Sequence, residues 1–372
     1  MKIFVTGDNH IGLKYAGRAN AARLARARID VLKGMVDIAN SQGCSLFAIT
    51  GDLFENTYGI SKEEVKAVLD YLGGFKGVVA VLPGNHDYYD RETKLWRYFE
   101  EEMIKRDNIM LLGEYRPYEI AGEAILYPAP CMQLHSNPGE NNLDWIKKEE
   151  PKREGKLRIG IAHGAVEGET IDKEGLYFLM SRDELEAIDV DVWLIGHTHV
   201  PFPAELKEDS FTAAGRIFNA GTPVQTDVAN RTEGYCFIIE IDDKRKVSAM
   251  KVRTGNVRFF RKEIALTAGR MAEIIRRETA DLPAESVVDL VLTGAVSQEE
   301  YEGRRAIIEK GLNGFIESTY DDHKISRLIT AEVIEKEFAR TSFAAGLLNR
   351  LLDEPEQVQL AYELFKSIKE GK

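Results

Sequence analysis

The feature that most constrains this chain is a series of short apolar runs, each ending abruptly in glycine and chemically active polar residues. Ile3-Phe4-Val5-Thr6 runs into Gly7-Asp8-Asn9-His10, and Ser45-Leu46-Phe47-Ala48-Ile49-Thr50 into Gly51-Asp52. The run 77–82 ends in Pro83-Gly84-Asn85-His86-Asp87, 157–162 in His163-Gly164, and 190–195 in Gly196-His197-Thr198-His199. Runs of this length bounded by turn residues read as buried strands. After each of the first three comes a longer stretch with apolar residues at spacings of three and four: 19–40, a helix capped by Ser61 with Glu64 three residues on, and 91–105. Such alternation predicts an α/β domain. A hairpin is expected over 117–127, turning near Ala121-Gly122, and a closing β layer over 216–252.

Ligands of α/β sheets bind at the carboxyl ends of the strands. Five of the seven histidines (His10, His86, His163, His197 and His199) fall at such ends, leaving His135 and His323 elsewhere as structural or surface residues. With Asp8, Asp52 and Asn85 they form a nitrogen and oxygen donor set without thiolate, which suits Mn²⁺, Fe²⁺ or Zn²⁺ rather than Ca²⁺. Eight groups are too many for one ion and suit two ions ~3.5–4 Å apart.

Taken together, Asp8-x-His10, Gly51-Asp52, Gly84-Asn85-His86-Asp87, His163-Gly164 and Gly196-His197-x-His199 resemble the signature of the calcineurin-like metallophosphoesterase superfamily over about residues 1–225. Asp8-Asn9-His10-Ile11-Gly12, Gly51-Asp52-Leu53-Phe54 and Ala220-Gly221-Thr222-Pro223 are most similar to the Mre11/SbcD DNA-repair exonucleases. Ile11, Glu55 and Thr222 stand where that group usually has Leu, Asp and Ser. The resemblance implies a β-sandwich flanked by helices, a small α+β capping domain and a C-terminal helical hairpin. It implies one ion, expected to be Mn²⁺, on Asp8, His10 and His199 and a second on Asn85, His163 and His197, with Asp52 bridging. His86 is then left off the metals as the proton donor to the departing oxygen, and Asp87 is expected to orient its ring.

Three segments follow: 1–262 as the nuclease domain, 263–335 as the capping domain, and 336–372 as the hairpin. In the last, Phe343, Leu347, Leu348, Leu351 and Leu352 make one apolar face and Val358, Ala361, Leu364, Phe365 and Ile368 another, separated by Asp353-Glu354-Pro355. The family implies that this hairpin docks on a Rad50/SbcC-type SMC ATPase, and that the chain forms a homodimer through helices near 61–72 and 91–105. The alternative is that the hairpin folds back on its own domain.

The net charge of −12 argues against a general nucleic-acid coat protein, although clustered cations still allow a nuclease. Lys14, Arg18, Arg23, Arg26 and Arg28 lie between Leu13 and Ile29 with no acidic residue among them. Lys14 and Arg18, then Arg91 with Lys94 and Arg97, are candidate contacts to a DNA backbone. Tyr15, Tyr88 and Tyr89 are candidates for stacking on bases. No apolar run approaches the ~20 residues that cross a bilayer. The early polar turn after Val5 and three scattered cysteines (Cys44, Cys131 and Cys236) lead to the expectation of a cytoplasmic protein with reduced thiols. The expected function is a two-metal DNA exo/endonuclease acting in break repair. The rivals are a stand-alone phosphodiesterase or phosphatase for small phosphoesters, and a non-catalytic scaffold.

Overall fold

The computed structural model describes residues 1–120, 122–149, 155–168, 175–369 and 371. The chain divides into two compact units, Met1–Arg258 and Phe259–Lys372.

The first unit contains twelve strands among the described residues: β1 (Lys2–Thr6), β2 (Leu46–Ile49), β3 (Val78–Val81), β4 (Ile109–Leu111), β5 (Tyr118–Ile120), β6 (Ala124–Ala129), β7 (Leu157–His163), β8 (Val192–Gly196), β9 (Thr212–Ala213), β10 (Ile217–Asn219), β11 (Tyr235–Ile241) and β12 (Val247–Arg253). They form two sheets, ordered β4-β3-β2-β1-β11-β12-β9 and β10-β8-β7-β6-β5. β1, β2 and β3 are parallel neighbours in one sheet, and β7 and β8 in the other. One core joins the sheets: Ile3, Val5, Leu46 and Ala80 pack with Leu126, Ile159, Val192 and Leu194. Alternate residues of each strand therefore face the opposite sheet, which is the packing of a sandwich.

Helices α1 (Ala21–Ser41), α2 (Lys62–Gly73) and α3 (Lys94–Met103) follow β1, β2 and β3 in the chain. The Ser61–Glu64 capping box is formed, so α2 starts where its sequence signal lies. α3 starts three residues later than the apolar spacing suggests, because Thr93, accepting a hydrogen bond from Trp96 N, is its cap. The hairpin β5–β6 is present, with the expected turn residue Ala121 outside the described residues. Two short helices, α4 (Asp144–Glu149) and α5 (Arg182–Ala187), and strand β4 carry no periodicity strong enough to read from sequence.

The second unit holds β13 (Arg258–Thr267), β14 (Ser286–Val296) and β15 (Glu317–Arg327) in one sheet, with α6 (Met271–Thr279) and α7 (Gln298–Gly311). Their core includes Ile264, Ile275, Leu290 and Ile308. A separate apolar cluster gathers α8 (Ala331–Glu337), α9 (Phe343–Arg350) and α10 (Pro355–Lys369) around Ile334, Leu348, Val358 and Tyr362. The apolar residues of this hairpin divide. Leu348 and Val358 are buried, whereas Phe343, Leu360, Leu364 and Ile368 are 56–78% exposed. All three cysteines are free and buried. No helix among the described residues is long and apolar enough to cross a membrane.

Candidate metal centre

The loops after β1 and β2 are zipped together beyond the end of the sheet. Asp8 N donates to Gly51 O (3.0 Å), His10 N to Asp52 O (2.9 Å) and Ile11 N to Leu53 O (3.0 Å). Asp8, His10 and Asp52 take left-handed backbone angles (φ 51°, 48° and 50°), as do His197 (110°) and His199 (55°). Such conformations cost on the order of 1–3 kcal/mol each and persist only where the surroundings impose them. Here they aim consecutive side chains into one place.

Two glycines make room for that convergence. A Cβ on Gly51 (φ +103°) would stand 2.1 Å from His163 Nδ1, and one on Gly84 would stand 2.2 Å from Asp52 Oδ1. The turn 83–87 thus lies directly against the Asp52 loop.

The structure brings Asp8, His10 and His199 into one group, and Asp52, His163 and His197 into another, with ligand atoms in each group within 4.8 Å of one another. Asn85 Oδ1 lies 3.0 Å from His163 Nε2 and 3.2 Å from His197 Nδ1. Asp52 sits between the groups, its Oδ2 3.2 Å from His163 Nε2 and 3.9 Å from His10 Nε2. Asp8, His10, Asp52, Asn85 and His163 are buried, and His86, His197 and His199 are half-buried, so the cluster opens on their side.

The donor set fits divalent cations on chemical grounds. His10 Nε2 and His199 Nε2 stand 2.9 Å apart, a pair of ring nitrogens that must share a proton or a cation. Burial, reinforced by the neighbouring His10, pushes His199 down to about 3, so its ring is neutral and ready to ligate. Burial also raises Asp8 to about 6, partly offset by His163. Burial opposes ionisation of Asp52 too, but the adjacent His163 outweighs it and holds the carboxyl far below its ordinary range. His163 is lowered by burial yet lifted further by Asp52, to about 9. Two buried carboxylates drawing protons onto nearby imidazoles mark a site built to neutralise positive charge. Behind it, His163 Nδ1 donates to Thr50 O (2.8 Å), which leaves Nε2 for a ligand role.

His86 belongs to neither of these two groups. Its Nδ1 donates to Glu55 O (3.1 Å), and its backbone N–H donates to Asp52 Oδ1 (2.9 Å). The expectation that Asp87 orients this ring is corrected. Asp87 is fully buried and turns inward, accepting from Phe54 N (2.9 Å) and Gly84 N (2.7 Å). One carboxylate oxygen ties the third loop to the second and the other closes the third turn on itself, and the Glu55 carbonyl fixes the His86 tautomer instead.

Two residues given no site role from the sequence also stand at the site. Glu55 Oε2 is 2.9 Å from His10 Nδ1, and the Tyr177 ring packs on His197 with centroids 5.0 Å apart and His135 beyond it at 5.2 Å. Glu55 was detectable as the acid closing Gly-Asp-Leu-Phe-Glu. Tyr177 follows residues 169–174, which lie outside the description, and carries no local signal.

The candidate DNA contacts are dispersed. Lys14 is exposed and Arg18 half-buried. Arg91 is paired with Glu114 (2.9 Å) and donates to the Tyr89 hydroxyl (2.8 Å), so it is not an unengaged cation. Arg28 is not on the surface: it is 1% exposed, and its Nε donates to Asn9 O (2.8 Å), bracing the first ligand loop from behind.

A family model described as calcineurin-like phosphoesterase matches residues 1–201. The chain belongs to the calcineurin-like phosphoesterase family. This calcineurin-like chain is also similar to solved structures. TT1561 of Thermus thermophilus is 12% identical, with 67% of this chain and 97% of that one covered and a TM-score of 0.42. A dimetal phosphatase from Danio rerio is 11% identical, with 64% and 92% covered and a TM-score of 0.36. Purple acid phosphatase PPD1 from yellow lupin seeds is 12% identical, with 68% and 53% covered and a TM-score of 0.37.

Proposed function

We propose that this calcineurin-like phosphoesterase is a two-metal phosphodiesterase that cleaves DNA. The observation that carries the hydrolytic reading is the pair of ligand groups with Asp52 between them, and one imidazole, His86, held beside them by a backbone carbonyl. Asp8, His10 and His199 would hold one divalent ion, Asn85, His163 and His197 a second, and Asp52 both; Mn²⁺ suits these donors. Bound there, the ions would supply Lewis acidity and lower the pKa of a water to near neutrality.

His86 has its Nδ1 proton committed to Glu55 O, so Nε2 is the nitrogen that meets the substrate. It delivers a proton to the departing alkoxide from the imidazolium form, a general-acid contribution of ~10²–10⁴ in rate. The Glu55 carboxylate at His10 Nδ1 orients that ligand and raises its basicity.

Support for DNA as substrate comes from exposed Lys14 beside the ligand loop, and from the second unit. The exposed side chains of Phe343, Leu360, Leu364 and Ile368 form an apolar stripe suited to a helical partner, in keeping with a Rad50/SbcC-type ATPase. The small-phosphoester reading draws on a different observation. Arg91 is paired with Glu114 and Arg26 with Asp30, so two cations of the basic segments are already engaged by carboxylates.

The deciding experiment compares Mn²⁺-dependent hydrolysis of single- and double-stranded DNA with that of bis(4-nitrophenyl) phosphate. Cleavage of DNA with affinity that falls steeply with salt supports the nuclease. Turnover of the small ester alone supports the rival.

A further inference from the structure

A cavity of about 440 Å³ lies between residues 57–60, which follow the second ligand loop, and Asp90, Glu92, Thr93 and Lys94, which follow the third. Its size is that of sites for small organic molecules. His86 does not line it, but both walls belong to segments that closely follow the loops holding that residue. Thr57 is two residues beyond Glu55, whose carbonyl takes His86 Nδ1, and two residues span at most ~7 Å. Tyr88 is two residues beyond His86, and its hydroxyl meets the Tyr58 hydroxyl at 3.3 Å.

Tyr58 is 70% exposed, an aromatic ring offered to solvent at the cavity wall. Asp90 and Glu92 give the opposite wall two carboxylates, acceptors for hydroxyl and amine donors and unfavourable to phosphate. Positive charge is at the edges: Lys94 is on the wall, and Lys14 Nζ lies 3.7 Å from where a Gly59 Cβ would stand.

From this arrangement we propose that the cavity receives the nucleoside attached to the departing oxygen. Its base stacks on Tyr58, its sugar and base donors face Asp90 and Glu92, and the phosphate beyond it meets Lys14 at the rim. The inference rests on the phosphodiesterase reading and adds a leaving-group subsite to it. It accounts for a cavity walled by the segments that follow the two loops holding His86, the residue that protonates the leaving oxygen.

The test uses thymidylyl-(3′→5′)-thymidine and its two analogues in which one base or the other is replaced by an abasic sugar. The wild-type protein with Mn²⁺ is expected to lose about five- to hundredfold in KM when the departing nucleoside lacks its base, the range of base–aromatic stacking. Tyr58→Ala should erase that preference, the loss falling on KM, and Tyr58→Phe should keep it. An undiminished preference in Tyr58→Ala, no preference in the wild type, or turnover of bis(4-nitrophenyl) phosphate without turnover of any dinucleotide overturns the subsite while leaving the phosphodiesterase reading intact. If no diester is hydrolysed, that reading fails. Saturation-transfer NMR of thymidine on the metal-free protein then decides the subsite alone: a signal lost in Tyr58→Ala supports it, and no signal in the wild type overturns it.

Discussion

Replacing Gly84 by Ala tests whether the site depends on direct contact between the second and third ligand loops. The added Cβ would stand 2.2 Å from Asp52 Oδ1, 2.4 Å from Asp52 N and 2.9 Å from Asp52 Cγ. Ordinary contact begins near ~3.5 Å, so one loop must retreat by about 1 Å. The obstacle includes backbone, and no rotamer change relieves it. Overpacking of this kind costs ~1–3 kcal/mol, a fraction of the ~5–15 kcal/mol that holds a domain folded, so the protein should still fold. The chemistry should suffer more, because a misplacement of ~1 Å costs about 10²-fold in rate. Asp52 stands between the two ligand groups, and its displacement should also lower metal content. The assay is metal content by mass spectrometry, thermal unfolding, and turnover of bis(4-nitrophenyl) phosphate with Mn²⁺. Gly34→Ala is the control: a Cβ there meets nothing within 4 Å and sits inside α1, where alanine favours the helix. Full metal content with wild-type turnover in Gly84→Ala would refute the reasoning.

Three further outcomes are expected. His86→Ala should keep both metals and lose ~10²–10⁴ in kcat, whereas His163→Ala should lose metal; equal metal loss in both, by elemental analysis, would remove His86 from its role. Asp87→Asn should lower thermal stability by about 1–3 kcal/mol, because an amide has one oxygen for the N–H groups of Phe54 and Gly84. The pH profile of kcat should stay in place, and a shifted profile would restore Asp87 as the partner of His86. Metal affinity should rise with pH up to about 9. The His163 proton, lowered by burial but held by Asp52, must leave before Nε2 can ligate, so binding at pH 7 releases it. Calorimetric titration of the metal-free protein in buffers of different ionisation enthalpy measures that release, and an affinity flat from pH 6 to 9 would contradict it.

Much of the site was legible because its residues end strands. Apolar runs and glycine turns are local signals, and the carboxyl end of a strand is a chemically meaningful address without three-dimensional knowledge. Glu55 was visible in its motif without the role it plays, and Tyr177 was not legible in this way. Their importance lies in contact with His10 and His197, residues 45 and 20 positions away, which no local pattern encodes. The role of Asp87 misled for the same reason. Adjacency to His86 suggested a pair, but successive residues in a tight turn point in different directions, and burial turned the carboxylate toward two backbone donors.

The basic segment gives a similar lesson. Lys14, Arg18, Arg23, Arg26 and Arg28 read as one positive run, yet the helix beginning at Ala21 sends Arg28 into the interior and pairs Arg26 with Asp30. Side-chain period along a helix separates neighbours in sequence onto opposite faces. The C-terminal hairpin behaves alike, its apolar residues divided between a small core and an exposed stripe.

The sequence by itself determined the five strand ends, the ligand chemistry they carry and the α/β character of the first unit, because each is written in a few consecutive residues. Tertiary structure alone decided that three of those ends come from one sheet and two from another facing it, so that Asp52 lies between the two groups of ligands. It also decided that a carbonyl rather than a carboxylate holds His86, and that a cavity opens between the segments following the second and third ligand loops. These depend on the register of strands far apart in the chain, and that register is fixed by a shared core rather than by any one segment.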